Sequence, residues 1–260
     1  AWSAAVGGQR AGTVPARAVV QTLEDQGNRV RVFYLGDGLG HDHFDGWIDS
    51  TDLGPAGPLL VSQRYGLRML TKEDLEAIDS GKGTWLRVPY RTQLDGGPSA
   101  DANCGPAAVA MVLQYYRVAS TNSEVRVVAD RLQGTHDPEG GFAIEFLAGA
   151  AARFGLKPLE MEAGQDLLKK WSLDDARRQL SEGHPIIAQL RFRAMPGREL
   201  SDYGDDHYVV LAGMLGDDFI YNDSVDVDGP GYGRVISAAD LKLAWGSSYF
   251  PFAGFAVSAP

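Results

Sequence analysis

Across 260 residues there is one cysteine, Cys104. No internal disulfide can form, and the cysteine count alone does not choose between an oxidising and a reducing compartment. Positive charge is also scarce, with 24 Lys and Arg against 34 Asp and Glu and a formal net charge of -10. Nucleic acid and anionic membrane surfaces select basic proteins, so neither is an expected partner. No apolar run approaches the roughly 20 residues needed to cross a bilayer. The first residues, AWSAAVGGQR, carry no basic and apolar leader, which fits either a cytoplasmic protein or a mature chain after signal removal. No internal repeat or low-complexity tract is visible. The rest is globular material, 44% hydrophobic and 22% charged, enough for a sizeable core and long enough for two domains.

Residues 1–55 read as a small all-β barrel. Val19-Val20, then Val30, Val32 and Tyr34 with Phe33 opposite, alternate with period two. Gly7-Gly8, Asp25-Gln26-Gly27-Asn28 and Gly36-Asp37-Gly38 supply turns, and Gly46-Trp47-Ile48 and Asp52-Leu53-Gly54-Pro55 close the segment. Residues 56–84 read as a connector with one short helix opened by Thr71-x-x-Asp74. Residues 85–260 are α+β. Helices are expected over about 105–117, from a capping box at Thr121-x-x-Glu124, over 142–154, and after Ser172. Strands follow at 186–192, 207–214, 218–221, 233–236 and 252–257, interrupted by a helix over 237–245.

The stretch "DANCGPAAVAMVLQYY" places Cys104 between a polar loop and a helix. Pro106 suits a first helical turn, because its missing N–H would be unpaired there anyway. Cys104 therefore stands at a helix N-terminus, where partial positive charge favours the thiolate, the form that attacks carbonyl carbon. Against this, a free cysteine is more often an inert buried residue. Gln93, in "VPYRTQLDGG", could pair its side-chain amide with the Cys104 backbone N–H as donors for an oxyanion.

Of five histidines, His207 opens the strand "HYVVLAGML". A base at a strand end is held firmly and can point into a cleft. If the following turn centres on Leu215 to Asp217, positions near 207 and 223 face each other across a hairpin, and either Asn222 or Asp223 orients the imidazole. A one-residue slip exchanges the two. His41, His43 and Asp45 in "HDHFD" and the acidic "SVDVDG" are weak metal candidates. In the second, Ser224 and Val235 stand where a calcium loop needs its first and last ligands. Both read as solvated acidic turns, so no metal and no cofactor is expected.

The ordered set "VPYRTQLDGG…ANCGPAAVAMVLQYY", "DHYVVLAGM" and "YNDSVDVDGPGYGRVISAADLKLAW" resembles the papain-fold cysteine peptidases related to the bacteriocin-processing (double-glycine leader) peptidases, over about residues 85–258. The resemblance implies a papain-like domain of N-terminal helices packed on an antiparallel sheet. It also implies Cys104 as nucleophile, His207 as base and then acid, Asp223 as orienter and Gln93 in the oxyanion hole. Two features depart from the family: a longer stretch between Gln93 and Cys104, and Ser224 where proline is usual. The first domain resembles a bacterial SH3-like module, which implies a secreted or envelope-associated protein acting on a peptide or cell-wall peptide. Three activities fit these residues: hydrolysis of amide bonds through an acyl-enzyme, peptide or cell-wall binding without turnover, and thiol-dependent acyl transfer or transpeptidation.

Overall fold

The computed structural model describes residues 20–34, 44–53, 68–162, 167–198, 201–225 and 231–260. Two compact units separate among them: residues 20–34 with 44–53, and the described residues from 68 onward.

In the first unit, β1 (Val20–Asp25), β2 (Arg29–Tyr34) and β3 (Phe44–Asp49) form an antiparallel sheet in chain order. Alternation turns Val30 and Val32 inward onto Ile48, with Val20 and Leu53 against them. The turn between β1 and β2 closes where Gly27 N donates to Asp25 Oδ1 at 2.7 Å. The other parts of the expected SH3-like barrel, and His41 and His43, lie outside the described residues.

The second unit begins with β4 (Arg68–Met69), α1 (Lys72–Asp79) and β5 (Gly83–Trp85). Three helices follow: α2 (Cys104–Tyr115), α3 (Asn122–Gln133) and α4 (Ile144–Arg153). After β6 (Lys157–Leu159) and α5 (Leu173–Ser181) come β7 (Ile186–Arg191), β8 (Asp206–Leu215), β9 (Asp218–Asp223) and β10 (Arg234–Ile236). The unit ends with α6 (Ala238–Gly246) and β11 (Gly254–Ser258). Thr71, Thr121 and Ser172 close capping boxes with Asp74, Glu124 and Asp175, and Ser237 caps α6. Each satisfies helix-start N–H groups that would otherwise go unpaired.

The sheet runs β4-β10-β9-β8-β7-β11-β6 and is antiparallel at every pairing, with β5 beside the second half of β8. β7 is buried from Ile186 to Leu190, polar Gln189 included, because both of its faces are covered. Ile187, Val210 and Phe255 pack on α2, α3 and α4. Ile186, Leu190 and Leu211 pack with Leu180 of α5 and Trp245 of α6 on the other side. The helix α2 is buried from Cys104 to Leu113, consistent with its lack of any charged residue.

The β8–β9 hairpin turns through Gly216-Asp217. Gly216 sits at φ 59°, the left-handed start that a two-residue loop with glycine first requires. The ladder runs Leu215↔Asp218, Met214↔Phe219, Gly213↔Ile220, then shifts to Leu211↔Tyr221, so Ala212 is an extra, bulged residue.

Candidate active site

As the first residue of α2, Cys104 has a backbone N–H with no acceptor inside the helix. Pro106 has no N–H, and Ala107 N makes the first helical bond, 2.8 Å to Asn103 O. The helix start therefore presents only the N–H groups of Cys104 and Gly105. His207 and the N–H groups of Gly105 and Tyr208 lie beside the sulfur and draw its thiol toward the ionised form. His207 is the second residue of β8, and its Nε2 lies 2.8 Å from Asp223 Oδ1. That contact leaves Nδ1 as the ring nitrogen facing the sulfur. All three side chains are buried: Cys104 is 9% exposed, His207 2% and Asp223 0%.

The choice between Asp223 and Asn222 is a matter of register. In an unbroken ladder from the Gly216-Asp217 turn, Asn222 would share the face of His207. The bulge at Ala212 offsets the pairing, so Val209 faces Asp223 and Val210 faces Asn222. Asp223 is thus on the side of residues 207 and 209. Asn222 points the other way, donating to Val88 O at 2.8 Å and accepting from Gly233 N at 3.0 Å.

Gln93 is brought close to this group but is engaged elsewhere. Its Oε1 accepts from Ser224 Oγ at 2.8 Å, and its Nε2 donates to Ala100 O and Asp101 O, both at 3.1 Å. Both amide hydrogens are spent on the loop just before Cys104. Donation to an oxyanion requires giving up one of these bonds. Among the described residues, no group of three or more His, Cys, Asp or Glu is placed to hold a metal ion.

A family model, the Peptidase_C39 like family, matches residues 85–250, which hold Gln93, Cys104, His207 and Asp223. The chain belongs to the C39-like peptidases. No curated protein matches it. Among solved structures, similarity extends to a candidate C39-like peptidase from Bacillus anthracis, with 14% identity and a TM-score of 0.47, covering 68% of this chain and 98% of that one. A double-glycine motif protease from an AMS/PCAT transporter, in complex with the leader peptide, is 21% identical with a TM-score of 0.40, covering 67% of this chain and 91% of that one. The peptidase domain of Streptococcus ComA is 16% identical with a TM-score of 0.39, covering 62% and 93% respectively.

In this C39-like peptidase the charges of the site reinforce one another. Burial pushes the Cys104 thiol up, but the hydrogen bond and charge of His207, with the N–H groups of Tyr208 and Gly105, outweigh it, and the net shift is downward. Burial works against the His207 cation too. The charge and hydrogen bond of Asp223, then the Cys104 contact, overcome it and carry the ring to about 9. Burial likewise opposes the Asp223 carboxylate, yet Arg198, His207 and Arg234 hold it well below the usual carboxylate range. Both shifts favour the thiolate–imidazolium form of the pair over the neutral one.

Sequence reasoning missed the groups that hold this C39-like site in place. Arg198 Nη2 lies 2.7 Å from Asp223 Oδ2, and Arg234 Nη1 lies 3.6 Å from the same oxygen. Phe192 meets the His207 ring edge-on, with centroids 5.2 Å apart. On α3, Arg126 donates to Asn103 Oδ1 at 3.0 Å and to Gly140 O at 2.9 Å, fixing the residue before the cysteine. Only Arg234 carried a sequence signal. It shares its strand face with buried Ile236, and a cation on an inward face calls for a buried partner.

Proposed function

We propose that this protein hydrolyses peptide amide bonds with Cys104, His207 and Asp223 as its triad. One observation carries the reading: a buried sulfur at a helix start lies beside an imidazole that draws it toward the thiolate, and that imidazole's Nε2 rests 2.8 Å from a buried carboxylate. In the reaction, the Cys104 thiolate attacks the substrate carbonyl carbon and the carbonyl π electrons move to oxygen. The Cys104 N–H is one donor to that oxyanion. Gln93 becomes the second if its amide leaves one of the loop carbonyls it now holds. The tetrahedral intermediate collapses, the C–N bond breaks, and the His207 Nδ1 proton passes to the leaving amine. The acyl group stays on sulfur as a thioester. Water, deprotonated by the now neutral His207, attacks it and frees the new carboxyl terminus and the thiolate. Asp223 holds one ring orientation throughout and stabilises the imidazolium.

The test is incubation of wild type and Cys104→Ala with a peptide library, read by mass spectrometry. Cleavage by wild type alone supports the proposal. Equal cleavage by both proteins overturns it. Products joined to an added amine rather than to water would assign the chain to acyl transfer instead.

A further inference from the structure

The segment between β7 and β8 does more than connect two strands. It begins with Phe192, whose ring abuts His207, and Tyr203 stands edge-on to the same Phe192 ring at 5.4 Å. Between them, Arg198 is turned inward and only 3% exposed. Its guanidinium carbon lies 5.0 Å over the Phe192 ring, and its Nη2 reaches Asp223 Oδ2 at 2.7 Å and Val225 O at 3.4 Å. The backbone around it is pinned by Arg198 N to Met195 O at 3.1 Å and Ser201 N to Arg198 O at 3.0 Å.

The two oxygens of Asp223 are thereby divided. Oδ1 takes His207 Nε2 at 2.8 Å and Val225 N at 3.0 Å. Oδ2 takes Arg198, with Arg234 farther off at 3.6 Å. A carboxylate bound on both sides is held in one orientation, and with the Phe192 ring it limits the orientations open to the imidazole. Burying a guanidinium is unfavourable unless a charge compensates it, and the compensating charge here is the one that serves the histidine.

We propose that Arg198 is a positioning residue for this site: its guanidinium holds the outer oxygen of Asp223 while backing the Phe192 ring that abuts His207, so one buried side chain sets both the orientation of the imidazole and the charge against which its proton is held. The inference rests on the cysteine-peptidase reading above. The groups that face Arg198 are Asp223 and Tyr221 from β9 and Arg234 from β10. His207 of β8 and Cys104 of α2 lie one contact further on through Asp223. Of these, Arg234 lies farther from the carboxylate, at 3.6 Å from Asp223 Oδ2 against 2.7 Å for Arg198, and Arg198 also stacks over the ring that abuts His207.

Removing a cation from this cluster has a definite direction. The thiolate loses a favourable positive neighbour, so its protonation moves to higher pH. The imidazolium loses an unfavourable positive neighbour, so its proton is released at higher pH as well. Both limbs of a thiol-reactivity profile must move the same way.

The experiment is the pH dependence of Cys104 alkylation by iodoacetamide in the full chain, for wild type, Arg198→Met and Arg198→Lys, beside the peptide cleavage rate. Arg198→Met is expected to move both limbs upward by about one pH unit, the usual size for a nearby charge. Arg198→Lys keeps the charge but loses the planar fork and the stack on Phe192. It is expected to leave the limbs in place while lowering the cleavage rate several-fold. Limbs unmoved in Arg198→Met, or moved equally in both variants, overturn the proposal. Should circular dichroism show Arg198→Met unfolded, the lysine variant decides alone: a slower enzyme with fixed limbs supports it, and a wild-type rate overturns it. If wild type itself alkylates like an ordinary thiol and Cys104→Ala retains cleavage, the functional reading has failed first. That outcome is distinct from a fast wild type whose limbs ignore Arg198.

Discussion

At the scale of single residues, the site separates two neighbours that look interchangeable in the sequence. Asp223 faces His207 and two buried arginines, so Asp223→Asn leaves those cations around a neutral amide. Breaking one side of a buried ion pair costs about 3–5 kcal/mol, and a loss of that order is expected in urea denaturation, together with slower cleavage. Asn222 instead ties Val88 O to Gly233 N. Asn222→Leu should cost about 1–3 kcal/mol, because Val88 O and Gly233 N lose their buried partner, yet leave the pH profile of Cys104 alkylation unchanged. His207 adds a pH signature. Its ordinary value of 6.5 is carried to about 9 in the fold, so the folded state binds this proton more tightly than the unfolded chain. The contribution is complete below the unfolded value and fades as pH rises through the folded one. The His207 contribution to thermal stability should be lost between about pH 6.5 and about pH 9, and His207→Gln should flatten that decline. Cys104 and His207 were legible as a helix-start thiol and a strand-end imidazole. Asp223 against Asn222 was not, because local composition carries no trace of an extra residue in the ladder.

At the scale of elements, α1, α3 and α5 were legible because Thr71, Thr121 and Ser172 accept as the spacing implied, Ser237 caps α6 as well, and α2 and α4 begin without a side-chain cap. The long strands were legible from their apolar runs. The short ones, β4 with two residues and β5 and β6 with three each, were not. Alternation needs four or more residues to show, and Pro158 within β6 argues against a strand anywhere but an edge, where β6 lies. The segment read as a connector in fact supplies β4 and β5 to the main sheet. A close approach also fixes β9. A Cβ on Gly231 would sit 1.6 Å from Asp223 O, while Asp223 N donates to Gly231 O at 2.8 Å. Gly231→Ala must therefore push the two chains apart. A loss of roughly 3 kcal/mol is expected, with slower Cys104 alkylation as Asp223 shifts, measured on the same preparation.

At the scale of the whole molecule, the two units have unequal cores. Among the described residues, the buried hydrophobics of the first are Val30, Val32 and Ile48, while two large clusters fill the second. Burial scales stability, so calorimetry of the full chain should resolve a smaller, earlier transition and a larger, later one. A thiol reagent should gain access to Cys104 only in the later one, and early exposure would contradict the assignment of the site to the second unit. The peptidase half was legible because its chemistry needs fixed residue types in a fixed order. The all-β half offered only turns and alternation, and no ordered chemical motif. The kink in β8 has a consequence for comparing relatives. Two chains with the same side chains at positions 207, 222 and 223 would back their imidazole with a carboxylate in one and a carboxamide in the other, according to whether Ala212 stands out of the ladder or in it. An alignment of those three columns would call the two sites identical, while their proton affinities diverged.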